Sequence, residues 1–140
     1  MQLSAEHIRS IRNTWKYFKH IDTSILGDAF YTKLFNNNPL LKSEFRGDMF
    51  VYYKKLHDFL NLAIARIERS ETIEPALLEI ASHQQTEFFC DRYYDEIENA
   101  LIWTLAKGMG PEWSADIEKA WKLYCNILAA KIRKSATIVE

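Results

Sequence analysis

The stretch Gly27–Phe45, "GDAFYTKLFNNNPLLKSEF", decides the fold class. With Leu26 just before it, Phe30, Leu34 and Phe35 recur at helical spacing, and Asp22 stands upstream where a carboxylate can cap the helix. "NNNP" then breaks the helix, because proline disfavours α conformation in the residue before it. Pro39 can open a short helical turn of its own over "PLLKSEF". The stretch reads as helix, sharp break and short turn, closing on an aromatic residue, Phe45.

The same grammar extends in both directions. Ser4 can cap a first helix in which Ile8, Ile11, Trp15 and Phe18 share a face. After the "RGDM" loop, Tyr52, Leu56, Phe59, Leu60, Ala63 and Ile67 line one side of a long helix. Pro75 opens a short helix holding Leu77, Ile80 and Ala81. Tyr94, Ile97, Leu101 and Leu105 mark the next, which "KGMGP" should end. Ser114 can cap the last, with Ile117, Trp121, Tyr124, Leu128 and Ile132 along its face, and a short tail is expected from about residue 134. The spacing predicts an all-α protein of about six to seven helices. Their lengths are unequal and their heptads do not persist, which argues against a four-helix bundle and for helices crossing steeply around a pocket.

Composition narrows the function classes. The chain has 140 residues, enough for one domain spanning 1–140, and no repeat or linker marks a boundary. Aromatic residues make up 14%, more than a minimal core needs, which suggests a broad, flat interior surface. Eighteen basic and nineteen acidic residues nearly cancel, which disfavours nucleic acid or an anionic membrane as partner. Cys90 and Cys125 form no zinc or CxxC pattern and read as free thiols. The polar start "MQLSAEHIRS" lacks the apolar core of a signal peptide, and no apolar run approaches the ~18 residues of a membrane span. A cytoplasmic protein is expected.

Several residues then carry a resemblance. Phe30, Tyr31, Leu34, Phe35, Pro39 and Phe45 follow the order F-Y-x-x-L-F, polar stretch, Pro, Phe before a loop. In this the chain resembles the globins of bacteria, both single-domain haemoglobins and the globin part of flavohaemoglobins. "LSAEHI" is similar to their first helix and "AWKLYCNILA" to their last, so the likeness runs from Leu3 to about Ile132. The resemblance implies a globin fold around haem b. It implies that Phe45 lies flat against the porphyrin, and that the Tyr31 hydroxyl points at the gas ligand, where a phenol can donate to the partly negative distal oxygen of O₂. Tyr52 matches the distal position usually held by glutamine, and Leu56 an apolar pocket residue. Two roles stand open for Tyr52: competing with Tyr31 for the ligand, or swinging toward solvent. Tyr94 matches the tyrosine that opens the family's following helix.

The proximal side departs from the pattern. The family reads I-A-x-x-H, whereas "IASHQQ" brings His83 one residue early and puts Gln84 in the expected place. At ~100° per residue, Leu77, Ile80, Ala81 and Gln84 share a face, and His83 points roughly 110° from its centre. Glutamine is a poor iron ligand, because its amide nitrogen has no available lone pair. Against this, helix ends tighten readily into 3₁₀ geometry, which re-aims side chains. A longer segment between His83 and Tyr94 would absorb the slip. His7, His20 and His57 lie off the expected pocket, so His83 is the residue expected to hold the iron.

The expected function is reversible binding of a diatomic gas (O₂, NO or CO) for storage, delivery or sensing, by a monomer or homodimer. Family members can oxidise NO, but this chain carries no flavin or nicotinamide domain, so such turnover would need a separate reductase. The competing expectation is a haem-free globin-fold sensor that holds an apolar guest and signals through a partner protein.

Overall fold

The computed structural model describes residues 3–69 and 94–139. The expectations for the helix opened by Pro75, for His83 and Gln84, and for Cys90 lie outside the described residues. Among the described residues the protein is all-α, with no strand.

Helix α1 spans Ala5–Phe18 and starts as its first residues dictate. The Ser4 hydroxyl accepts from the His7 backbone N–H at 3.1 Å, while the Ser4 N–H donates back to His7 Nδ1 at 3.2 Å. This is a capping box with histidine in the place usual for glutamate. Ile11, Trp15 and Phe18 are buried along one face, as their spacing predicts.

Helix α2 spans Thr23–Asn37 and is capped by Asp22, whose carboxylate accepts from the Ser24 N–H at 2.8 Å. Asn38 leaves helical conformation (φ −145°), and a 3₁₀ helix runs Pro39–Glu44 where the proline was expected to start a turn. The loop after Phe45 turns at Gly47, whose φ of 89° belongs to the left-handed region that favours glycine. Asp48 then caps helix α3, Met49–Ala65, accepting from the Phe50 N–H at 3.0 Å.

Helix α4 spans Tyr94–Met109 and helix α5 Ala115–Val139. α4 runs through Gly108 and ends within "KGMGP", as expected, at Met109 before Gly110, which has φ of 59°. Gly108 admits the neighbouring helix: a Cβ there would lie 2.4 Å from the Phe18 ring. Ser114 caps α5 through the Ile117 N–H at 3.2 Å, as expected. The backbone of α5 stays helical to Val139, past the point near 134 where a tail was expected, because its last turns contain neither glycine nor proline to stop it.

α2 lies against both α3 and α4, α1 against α5, and α4 against α5. Polar ties lock this arrangement. Asn38 donates to both carboxylate oxygens of Glu96 at 3.0 Å, joining the end of α2 to α4. Trp15 Nε1 donates to Asn61 at 2.7 Å, joining α1 to α3. The Tyr124 hydroxyl donates to the Ala63 carbonyl, joining α5 to the last turn of α3. That carbonyl belongs to the four that a helix end leaves without an intrahelical partner. No described helix is long and apolar enough to cross a membrane.

Candidate functional site

The 3.6-residue period of α2 turns Phe30, Tyr31 and Leu34 inward, and the break at Pro39 brings the chain back so that Phe45 meets Tyr31. The two rings lie edge to face with centroids 5.3 Å apart. Tyr52, in the first turn of α3, packs edge-on against Phe45 at 5.1 Å and against Tyr31 at 6.4 Å. Phe30 and Phe35 close in at 4.8 and 5.9 Å, and Tyr53 stacks on Tyr31 at 5.8 Å with the rings 30° apart. Tyr31 is thus held on several sides by aromatic rings and is only 2% exposed. Offset and edge-to-face geometry of this kind is what ring quadrupoles favour.

Burial raises the phenol pKa of Tyr31 above its ordinary range, with Tyr52 and Tyr53 adding to the effect. The group is therefore a neutral donor at any physiological pH. Tyr52 is half-buried, its ring packed within the cluster. Its hydroxyl donates to the Arg46 backbone carbonyl at 3.1 Å, across the loop and not toward Tyr31. Leu56, one turn beyond Tyr52 on the same face of α3, is buried.

That face continues into a second feature. Phe59, Leu60 and Ala63 of α3, Ile97 and Leu101 of α4, and Trp121 and Leu128 of α5 line a partly open cavity of about 60 Å³. Its walls are almost wholly apolar. Two tyrosines stand in the wall, and each donates its hydroxyl to a main-chain carbonyl: Tyr94 to Cys125, and Tyr124 to Ala63. Cys125 also lines the cavity, and burial, helped by nearby Glu98, pushes its thiol pKa up to about 12. It is a small apolar wall residue and not a reactive thiolate.

The structure brings Tyr31, Phe45 and Tyr52 together, and Leu56 lies one turn beyond Tyr52 on α3. Tyr94 lines the cavity, with its hydroxyl engaged by α5. His83 lies outside the described residues. Among those described, no group of three or more His, Cys, Asp or Glu side chains is placed to hold a metal ion.

Two arrangements escaped sequence reasoning. His57 does lie off the apolar stripe, but its ring packs on Trp15 at 5.3 Å and its Nδ1 meets Asn61 at 3.1 Å, which makes a Trp15–Asn61–His57 chain between α1 and α3. Among the described residues, His57 Nε2 and Trp121 Nε1 are buried without a hydrogen-bond partner. The second is the crossing of α2 and α3, where the Tyr53 ring fills the space beside Gly27: a Cβ on Gly27 would lie 2.4 Å from that ring. The available signal was a glycine one turn before Tyr31, in a helix with no other reason to carry one.

No family model matches the chain, and no curated protein matches its sequence.

Proposed function

We propose that the chain is a globin-fold haem protein that reversibly binds a diatomic gas, O₂, NO or CO. The observation that carries this reading is the grouping of Tyr31, Phe45 and Tyr52, distant in sequence, into one buried aromatic cluster that continues along α3 through Leu56. The residues on this side suit a flat, mostly apolar macrocycle: an aromatic wall at Phe45, an aliphatic one at Leu56, and a buried phenol between. Haem, where bound, would supply an iron that coordinates a diatomic gas reversibly, and Tyr31 would donate a hydrogen bond to the polar end of that gas. Tyr52, tied to the Arg46 carbonyl, leaves this task to Tyr31 and pins the loop that carries Phe45. Phe45, Leu56 and the rings around Tyr31 exclude water, which strengthens the single polar contact.

In this reading His83 would supply the iron ligand. Its test is direct: His83→Gly should lose haem, or bind it with a ferrous spectrum that added imidazole restores, while Gln84→Ala leaves the spectrum intact. Turnover of NO would require a supply of electrons.

The cavity between α3, α4 and α5 favours a second reading, a haem-free sensor. Its walls suit a small apolar guest, and its tyrosines are committed to holding helices together. Haem titration of the purified protein separates the two. An intense Soret band saturating at one equivalent per chain supports the haem protein. Weak, non-saturating uptake supports the sensor.

A further inference from the structure

Tyr53 is built into the cluster differently from its neighbours. Its ring stacks on the buried Tyr31 at 5.8 Å and 30°, and meets Phe50, which is 63% exposed, edge-on at 5.5 Å. The close approach of α2 at Gly27 holds the ring in place. Its hydroxyl faces the Asp28 carboxylate at 3.4 Å. A phenol joined by stacking to a buried phenol, and by hydrogen bond to a base, has what proton-coupled oxidation requires. We propose that Tyr53, with Asp28 as proton acceptor, is a redox-active site where a one-electron oxidation of the aromatic cluster comes to rest.

The step balances. A one-electron radical oxidant takes an electron from the Tyr31 ring and is reduced. Tyr53 returns an electron to Tyr31 across the stacked pair. As it does so, the Tyr53 O–H bond breaks and its proton forms a new O–H bond on the Asp28 carboxylate. Tyr31 is restored, Tyr53 is left as a neutral phenoxyl, and Asp28 is left as a neutral acid.

The alternatives are worse placed. A hole left on Tyr31 would be a charge in a site only 2% exposed, which burial disfavours. The Tyr52 hydroxyl donates to a main-chain carbonyl, which cannot take up a proton. The Tyr53 phenol holds its proton more tightly than usual, because burial and the facing Asp28 charge both favour the neutral form. Its proton therefore stays in place until the ring is oxidised. The cluster's oxidising equivalent thus exits on a half-buried ring beside solvent, away from Tyr31.

The test needs no cofactor and holds whichever reading of the function is right. Azidyl radicals generated by pulse radiolysis oxidise the purified chain, a nitroso spin trap captures the radical, and peptide mass spectrometry locates the adduct. Tyr17, 52% exposed, is the internal control for plain accessibility. The proposal expects the adduct chiefly on Tyr53. It also expects Asp28→Asn, which keeps the ring and its stacking, to lower that yield several-fold and to change the solvent deuterium effect on phenoxyl formation. Tyr53→Phe should abolish the adduct at this position without an equal gain at Tyr52. An adduct chiefly on Tyr17 or Tyr52 overturns the proposal. So does an Asp28→Asn chain that behaves as the parent does.

Discussion

Helix α3 serves two regions by opposite means. Toward α2 and the Pro39–Glu44 turn its first turn contributes rings that fill the space, so that Tyr31, Phe45, Tyr52 and Tyr53 touch one another. Toward α4 and α5 its later turns contribute Phe59, Leu60 and Ala63, and a cavity of about 60 Å³ is left. The hydroxyls differ as well. Both tyrosines in the cavity wall donate to main-chain carbonyls of a neighbouring helix, so they are fasteners. In the cluster, the Tyr52 hydroxyl instead fastens the loop, and rings pack around Tyr31. Tyrosine content alone therefore says little about function. What a phenol is tied to says more.

The contrast is broken most severely from the cavity side. Leu60, 2% exposed, stands in the wall, and Leu60→Ala should cost roughly 2–5 kcal/mol by adding empty volume to space already present. Chemical denaturation would measure it, and a loss well below that range would mean that the walls collapse to fill the gap.

Removing a fastener comes next. Tyr124→Phe leaves the Ala63 carbonyl at the end of α3 without its donor, at a cost of about 1–3 kcal/mol. Hydrogen exchange should show the last turn of α3 opening more often, with little change around Asp48.

Gly27→Ala probes the cluster. The new methyl would meet the base of the Tyr53 ring, not a flexible tip, so α2 and α3 must separate or the ring must move. Overpacking of this kind costs roughly 1–3 kcal/mol. Near-ultraviolet circular dichroism should report disturbed tyrosine packing, and an unchanged spectrum with full stability would refute the close crossing.

The mildest probe is alkali. In the folded chain the Cys125 thiol keeps its proton up to about pH 12, whereas once unfolded it loses it near its ordinary 9.0. Its contribution to stability is therefore complete below pH 9.0 and falls away as pH rises toward 12. Cys125→Ala should flatten the first part of that decline in a pH series of melting curves, before the buried tyrosines begin to titrate.

Much of this architecture was legible in the residues. Ser4, Asp22 and Ser114 cap where short polar side chains before apolar periodicity say they should, and Pro39 opens its turn. These are local signals, set by a few neighbouring residues. The less legible features depend on contacts between distant segments. Nothing near Tyr52 announces that its hydroxyl reaches the Arg46 carbonyl, because the loop conformation decides it. Gly27 and Gly108 look like helix-weakening residues until Tyr53 and Phe18 are seen against them. Nothing beside Asn61 and His57 announces that Trp15 arrives from α1 to meet them.

The proposed function gives the ligand contact to Tyr31, and the rate of O₂ release from the haem-loaded protein tests it most directly. A hydrogen bond to a partly charged acceptor contributes about 1.5–3 kcal/mol. At about 1.4 kcal/mol per decade, Tyr31→Phe should speed release by about ten- to a hundredfold. Tyr52→Phe should leave the rate nearly unchanged, because its hydroxyl is already spoken for by Arg46. If Tyr31→Phe releases O₂ at the parent rate, or Tyr52→Phe produces the larger change, the cluster does not serve the ligand as proposed.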